Sequence, residues 1–281
     1  MNKLFVSAFA IALAFSTGAS SQDRDLHITP VQQRTPVWCW LAVGEMIFEH
    51  YDVPDVNPAG IFQCGIVGVV ALHGLANPVC NLDCGRCTEP AGTASRLTSM
   101  LELYPDVLQQ EGLYDDGIEA RHRRTALSKQ TILDEIDDGN PVVAGISPGQ
   151  NLGAFRGGAA HVALIVGYRD DGDTLLVNDP FPYTSFGNGW DPYVAAGGSA
   201  VRNLKYEIAF DDFRRDLNWS ESWTVERIAG DNDGGDGGGG LARYCCTPVG
   251  KLGPYPPGIP AGRACYGTDP VFGTAVGRAC Y

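Results

Sequence analysis

The sequence has few basic residues. Its 281 residues include 20 lysines and arginines against 33 aspartates and glutamates, a formal net charge of −13. A nucleic-acid-binding protein needs a basic face to neutralise phosphate, and an anionic membrane surface attracts the same kind of face. The acidic balance therefore argues against both partners. With 44% hydrophobic residues the chain can bury a core, which excludes a collagen-like or wholly disordered protein.

Long apolar stretches are also missing. The apolar run Leu4–Phe15 has twelve residues, whereas a helix that spans a membrane needs about twenty. The run follows Lys3 and precedes small residues at 17–21, an order typical of a secretory signal peptide. We therefore expect residues 1–21 to be a signal peptide rather than a membrane anchor, with no membrane insertion. The predicted location is secreted, either extracellular or periplasmic.

Composition divides the remaining chain into three parts. Residues 22–228 mix apolar segments with ordinary turns and are predicted to form the main domain. Residues 229–240 contain mostly glycine and aspartate, which predicts a flexible linker. Residues 241–281 carry four cysteines and six prolines, and so short a segment seldom builds a sufficient apolar core. We expect a small disulfide-rich C-terminal module, which could bind a surface or another protein.

The hydrophobic pattern of the main domain predicts an α+β fold. Helical periodicity comes first along the chain and extended segments follow. This order favours two lobes, a helical one and one built on a sheet. The predicted helices cover 38–51, 94–104 and 128–138, and the predicted strands cover 142–147, 161–168, 174–178, 201–210 and 222–228.

Cys39 is the candidate nucleophile. It directly precedes the first helical stripe, so its sulfur is expected at a helix N-terminus, where the helix dipole favours thiolate over thiol. Gln33 lies six residues earlier, and its amide could donate to an oxyanion beside the Cys39 backbone N–H. Cys39 could instead be a small buried residue or half of a disulfide. The cysteine count argues against a disulfide at Cys39, because the other eight cysteines form an even set that can pair without it.

His161 is the candidate base. It opens an apolar strand and follows the small residues 157–160, which would let a substrate backbone approach. A polar residue at the head of a buried strand also needs a partner. The other four histidines, His27, His50, His73 and His122, are expected to have solvated or capping roles.

The partner of His161 is expected on the next strand. A turn at 170–173 predicts a hairpin that returns the end of this strand, Asn178 and Asp179, to the vicinity of His161. Neighbouring side chains on a strand point to opposite faces, so one of the two residues can hold the imidazole. An acceptor on one ring nitrogen fixes the tautomer and leaves the other nitrogen to face the sulfur.

Together these motifs resemble a papain-like cysteine peptidase. Gln33-x5-Cys39-Trp40, the strand that begins at His161 and the Asn178-Asp179-Pro180 segment are most similar to bacterial branches, the bacteriocin-leader peptidases and certain secreted effector peptidases. The resemblance covers about residues 31–228 and implies a two-lobed fold. It implies Cys39 as nucleophile, His161 as base, Asp179 as orienting acid and Gln33 as oxyanion donor. Papain itself uses asparagine beside its histidine, which makes Asn178 the alternative orienting residue.

The expected function is that of a secreted cysteine peptidase. It would hydrolyse peptide bonds of a polypeptide substrate through a thioacyl-enzyme intermediate, with no metal or cofactor. A transglutaminase-like enzyme or a peptidoglycan amidase could use the same triad with another acceptor or substrate. A catalytically silent binding module is the non-enzymatic alternative.

A second group of cysteines occupies a segment that reads as rich in loops. Cys80-x3-Cys84-x2-Cys87 has the spacing of an iron–sulfur ligand set, and Cys64 could complete a zinc site. Two disulfides are favoured because the chain is expected to be exported, and the spacing leaves all three pairings open. In the C-terminal module, Cys245 and Cys246 are expected to pair with Cys265 and Cys280.

Overall fold

The structure is a computed structural model. It describes residues 22–148, 161–185 and 189–229, together with the backbone of short strands between 241 and 280. The predicted signal peptide, the linker at 230–240 and the small residues 157–160 lie outside the described residues. The side chains of the C-terminal module, and with them the predicted pairing of its cysteines, also lie outside them.

The fold is α+β, with a helical part and an antiparallel sheet, as the sequence predicts. The helices pack on the two faces of the sheet. The first face carries α1 (Cys39–His50), α2 (Phe62–Leu72), α3 (Val79–Leu82) and α4 (Ala94–Gln110). The second face carries α5 (Lys129–Asp137), α6 (Pro192–Ala195) and α7 (Phe210–Asp216).

The sheet of the main domain has eight strands, and all its described pairs are antiparallel. Its order is β2-β8-β3-β4-β5-β7-β6, and β1 pairs with the last residues of β4. The strands are β1 (Arg24–Asp25), β2 (Gly117–Arg123), β3 (Val142–Ile146), β4 (His161–Arg169), β5 (Thr174–Asn178), β6 (Ser199–Arg202), β7 (Lys205–Ala209) and β8 (Glu221–Ile228).

Both faces of the sheet centre are buried, because helices cover each of them. All five residues of β3 are buried, and alternate side chains enter different cores. Val143 and Leu164 pack with α1, α2 and α4, whereas Val142 and Ile165 pack with α5 and α7. This explains why the central strands read as continuous apolar runs rather than as alternating patterns.

Local signals set the ends of the predicted helices. Thr93 caps α4 by accepting from the backbone N–H of Arg96, and Ser128 caps α5 by accepting from that of Thr131. Helix α4 is longer than predicted and continues through Pro105 to Gln110. Gly139 follows α5 with a φ of +89°, a conformation that favours glycine.

Two sequence expectations in the main domain were wrong. The predicted strand 201–210 is instead the hairpin β6–β7, because the chain reverses at Asn203 and Leu204, where Leu204 has a φ of +62°. Cys64 lies in a helix, α2, rather than in a loop. This helix is apolar on all sides and almost wholly buried, so it has no polar face to reveal its period.

The second group of cysteines forms two disulfides, as favoured from the sequence. Cys64 is bonded to Cys84 and Cys80 to Cys87. The first bond ties α2 to the segment after α3, and the second ties α3 itself to Cys87 in that segment. The segment before α4 is therefore stapled to the helical part.

The C-terminal module contains two small antiparallel sheets. One has the order β11-β10-β14-β13 and the other pairs β12 with β9. Their strands are β9 (Leu241–Ala242), β10 (Tyr244–Thr247), β11 (Gly250–Leu252), β12 (Ile259–Pro260), β13 (Ala264–Asp269) and β14 (Gly273–Cys280). Within the described ranges of the whole chain, each helix is too short or too polar to cross a membrane.

Candidate active site

Cys39 is the first residue of α1. Trp38 precedes the helix without capping it through a side chain, so the first backbone N–H groups of α1 are not covered by a cap. The N–H of Leu41 donates to the carbonyl of Trp38, whereas those of Cys39 and Trp40 present partial positive charge beside the sulfur. Cys39 is buried and is the free cysteine of the described residues.

His161 is the first residue of β4, and its ring is buried. Its Nε2–H donates to Oδ1 of Asp179 over 2.6 Å. The thiol of Cys39 is close enough to form a hydrogen bond with the same ring and to alter its ionisation. The structure thus brings together the three side chains that the sequence selected, although the first two lie 122 positions apart.

Asp179 is held by four hydrogen bonds. Its Oδ1 also accepts from the backbone N–H of Phe181 over 2.9 Å. Its Oδ2 accepts from the hydroxyl groups of Tyr183 at 3.1 Å and Tyr193 at 2.9 Å. A fully buried carboxylate is costly unless its oxygens are paired, and here both oxygens have donors. Sequence reasoning missed both tyrosines.

The ionisation of His161 follows from this environment. Burial alone would lower the pKa of the imidazole, but the Asp179 carboxylate, through charge and hydrogen bond, and the Cys39 thiol together raise it to about 10. Burial and the same carboxylate hold the pKa of Tyr183 and of Tyr193 well above the usual range, so both phenols stay hydrogen-bond donors. The site therefore favours an imidazolium.

Asn178 does not contact the imidazole. Its side chain points to the other face of the strand, and its Nδ2 donates to the backbone carbonyl of Ile28 over 3.0 Å. It thereby fastens the N-terminal segment to β5. Of the two neighbouring residues, Asp179 is therefore the one that contacts the histidine.

Gln33 lies in the turn that leads into α1. Its Nε2 donates to the carbonyl of Thr35 over 2.7 Å, and the backbone N–H of Trp38 donates to the same oxygen over 3.2 Å. A second N–H remains on the amide. The backbone N–H of Gln33 donates to the carbonyl of Pro180, directly after Asp179. The Gln33 segment thus bridges the start of α1 and the acid.

A buried amide holds the chain on both sides of Gln33. Gln63 donates through Nε2 to the carbonyl of Gln32 and accepts at Oε1 from the backbone N–H of Arg34. The same Nε2 donates to Glu45 Oε2 over 2.8 Å. Burial, with the nearby carboxylates of α1 and of the segment after it, raises the pKa of Glu45 to about 7.

A narrow pocket opens beside Cys39 and His161. The helical wall of this pocket is Trp40 with residues 91–94, and the sheet wall is Gly145, Glu221 and Trp223. The wall residues pack closely, as two glycines show. A Cβ added to Gly92 would lie only 2.7 Å from the Trp40 ring, and one added to Gly145 would lie 3.0 Å from Cβ of Glu221.

Trp38, Trp40 and Trp190 have different places relative to the pocket. Trp40 lines the pocket, whereas Trp38 is buried and donates from Nε1 to the carbonyl of Glu89. Trp190 does not appear on the described lining of the pocket. Trp223 was missed, since its β8 strand reaches the pocket only through pairing with β3.

His122 departs from the solvated or capping role expected of it. Its ring stacks on Trp223 with centroids 4.6 Å apart, and its Nε2 lies 3.0 Å from Oε2 of Glu221. Of the other histidines, His27 is exposed and His50 contacts the carbonyl of Gly139 through Nε2. Among the described residues, no group of three or more metal-binding side chains converges on one point.

The fold and the arrangement of these side chains define a class, the papain-like cysteine peptidases. The model of the Peptidase_C39 like family matches residues 25–201, more than half of the chain. The chain belongs to this family.

Comparison with curated proteins finds no match. Among solved structures, the chain is similar to a double glycine motif protease from an AMS/PCAT transporter, crystallised in complex with the leader peptide. The two share 12% identity, with 73% of this chain and 94% of the other covered, at a TM-score of 0.36.

Proposed function

We propose that the protein is a secreted cysteine peptidase that hydrolyses polypeptide substrates through Cys39, His161 and Asp179. One observation carries the proposal. A free cysteine at a helix N-terminus and a histidine line the same pocket, and the histidine is held by an aspartate that accepts four hydrogen bonds. Membership of a peptidase family supports the same activity.

The first half of the reaction is acylation. The Cys39 thiolate, paired with the His161 imidazolium, attacks the carbonyl carbon of the scissile peptide bond and forms a C–S bond. The negative charge moves to the carbonyl oxygen, which the backbone N–H of Cys39 and the free N–H of the Gln33 amide stabilise. The C–N bond then breaks as His161 gives its proton to the leaving amine. A thioester on Cys39 remains.

The second half is hydrolysis. Neutral His161 accepts a proton from a water molecule, whose oxygen attacks the thioester carbon. The C–S bond breaks, the acid product leaves and the thiolate–imidazolium pair is restored. Asp179 keeps the ring in one orientation throughout and stabilises its charged form.

The location and domain plan complete the proposal. A signal peptide at 1–21 would deliver the chain to an oxidising compartment, and the two disulfides between 64 and 87 support such a location. Residues 22–228 then form the peptidase domain, 229–240 a linker and 241–281 a module that binds a surface or another protein.

Peptide cleavage by matched variants tests the function. We expect purified protein without residues 1–21 to cleave members of a mixed peptide library detected by mass spectrometry, and Cys39→Ala and His161→Ala to abolish cleavage while thermal unfolding still shows a folded domain. His27→Asn, which alters an exposed histidine, should leave the rate unchanged.

Four outcomes would contradict the proposal. Undiminished cleavage by Cys39→Ala would show that Cys39 is not the nucleophile. Incorporation of an amine without hydrolysis would point to a transglutaminase-like enzyme, and cleavage confined to peptidoglycan peptides would point to an amidase. A folded wild-type protein that processes none of these substrates would favour a binding module.

A further inference from the structure

The pocket beside Cys39 carries a carboxylate that the proposed chemistry does not use. Apart from Cys39 and His161, Glu221 is the ionisable residue on its described lining. The rest of that lining is apolar, aromatic or small, as in most sites that hold a side chain. A carboxylate in such a setting can select ligands by charge.

The backbone fixes Glu221 at this place. Glu221 is the first residue of β8 and lies opposite Gly145 in the pairing with β3. Its carbonyl accepts from Nε1 of Trp219 over 2.7 Å, and the neighbouring Ser220 N–H donates to the carbonyl of Gly145. Because Gly145 has no Cβ, the Glu221 side chain can pass close to it.

The carboxylate keeps capacity for a ligand. His122 is near one oxygen, Oε2, at 3.0 Å. An ionised carboxylate accepts several hydrogen bonds, so Oε1 and part of Oε2 remain for another donor. The side chain is 30% exposed, so solvent, and hence a substrate, reaches it.

Two aromatic side chains lie on the lining of the pocket. Its walls bring the rings of Trp40 and Trp223 to one narrow space. Lysine and arginine lay an aliphatic stem along apolar surface while the charged end stays at a polar or wet site. A stem that follows these rings would bring the cation toward Glu221, which lies on the same lining.

We propose that this pocket is a subsite that binds a lysine or arginine side chain of the substrate, with Glu221 as the specificity-determining residue. The proposal rests on the proposed function and adds the class of peptide that the site prefers. His122 acts as a positioning residue, because its stacking on Trp223 holds the carboxylate at the pocket. A charge-assisted pair formed there is stronger than a contact between neutral groups.

Peptide libraries in which one position at a time is fixed test the subsite. Each position carries arginine, its uncharged isostere citrulline or norleucine, and kcat/KM is measured for wild type, Glu221→Gln and Glu226→Gln. We expect one position at which wild type favours arginine over citrulline by about tenfold. Glu221→Gln should lose this preference, because its kcat/KM falls by a larger factor on the arginine peptides than on the citrulline peptides. Glu226→Gln removes the same charge from an exposed position on β8 and should keep the preference.

A charge reversal guards against a misfolded amide variant. Glu221→Arg should favour glutamate over glutamine at the same position, and a shared melting temperature would show that the fold is kept. The proposal is overturned if wild type cleaves peptides without a basic preference, or if Glu221→Gln or Glu221→Arg retains that preference.

Failure of the proposed function can be told apart from failure of the subsite. If wild type cleaves no peptide, Cys39→Ala is titrated with the fluorescently labelled arginine and citrulline peptides and binding is followed by anisotropy. Tighter binding of arginine peptides that disappears with Glu221→Gln supports the subsite on its own. Equal binding of both peptides rejects it.

Discussion

The two walls that meet at Cys39 and His161 are stabilised in different ways. The sheet wall is held by strand pairing and by a buried polar network, in which four donors converge on Asp179. The helical wall has a smaller buried network, around Gln63, and within the described residues no set of donors converges on Cys39. It is held by the apolar core around α1, by two disulfides and by the ion pair of Glu89 with Arg96.

The difference follows from what each wall must supply. A base that stays protonated while buried needs a fixed counter-charge, and that counter-charge needs its own donors. A nucleophile at a helix N-terminus draws on backbone N–H groups, which the helix provides without further side chains. The helical wall therefore only has to hold Cys39 in position. The two disulfides help to do so in the segment where the helices are short.

The largest effect is expected from the sheet wall. Asp179→Asn removes the counter-charge and should lower kcat/KM by about 10²- to 10⁴-fold, the usual range for loss of acid–base catalysis. The carboxylate raises the pKa of His161, so its loss lowers that pKa and the imidazolium disappears at lower pH. The alkaline limb of the pH–rate profile should therefore move to lower pH.

A control accompanies this change. Tyr193→Phe deletes one of the donors to Asp179 but leaves the carboxylate in place. Because the carboxylate keeps its charge and loses a competing donor, the alkaline limb should not move to lower pH as it does in Asp179→Asn. An unchanged profile for Asp179→Asn would show that His161 does not depend on this acid.

The next effect concerns the helical wall. Cys64→Ala with Cys84→Ala opens a link between residues 20 positions apart, and the loop-entropy model assigns such a link about 3 kcal/mol of stability. Denaturant unfolding of this double variant should show a loss of that order. Its residual folded fraction should keep the pH profile of wild type, because the polar network lies in the other wall. A loss of the alkaline limb would mean that the two walls are not separable.

The smallest effect is expected at Glu45. Its pKa is about 7 in the folded protein against an ordinary value of 4.5, so the folded state binds the proton more tightly. The resulting stability is present below pH 4.5 and is lost as the pH rises through about 7. Glu45→Gln keeps an acceptor for Gln63 and should be more stable than wild type at pH 8, by about 1 kcal/mol after allowance for solvent screening.

Denaturant unfolding between pH 5 and pH 8 measures this difference. Glu111→Gln, which neutralises an exposed carboxylate at the end of α4, is the matched control and should follow the wild-type curve. Parallel curves for wild type and Glu45→Gln would contradict the assignment.

Much of the site could be predicted because its signals are local. Cys39 precedes an apolar helical stripe, His161 heads an apolar strand, and a short turn returns Asp179 to it. Each signal needs only a few neighbouring residues, and strand alternation reduces the choice of acid to two. Whether Asn178 or Asp179 contacts the ring depends on which face of the sheet each side chain points to, and only the structure shows this.

The parts of the site that could not be predicted from the sequence depend on contacts between residues far apart along the chain. His122 reaches Glu221 through the pairing of β2 with β8, in which residues about 100 positions apart become neighbours. Tyr193 reaches Asp179 from a separate short helix. Helix α2 and the β6–β7 hairpin were hidden for local reasons, because one is apolar on all sides and the other turns at a leucine rather than at glycine.

The rate at which Cys39 reacts with iodoacetamide, followed by mass spectrometry across pH 5 to 9, tests the sulfur–imidazolium contact most directly. An isolated thiol becomes reactive only as the pH approaches about 8.5. Wild type should be alkylated at Cys39 already at pH 6, and His161→Ala should react at least about tenfold more slowly there, approaching wild type only at alkaline pH. Equal rates for both proteins at every pH would contradict the account.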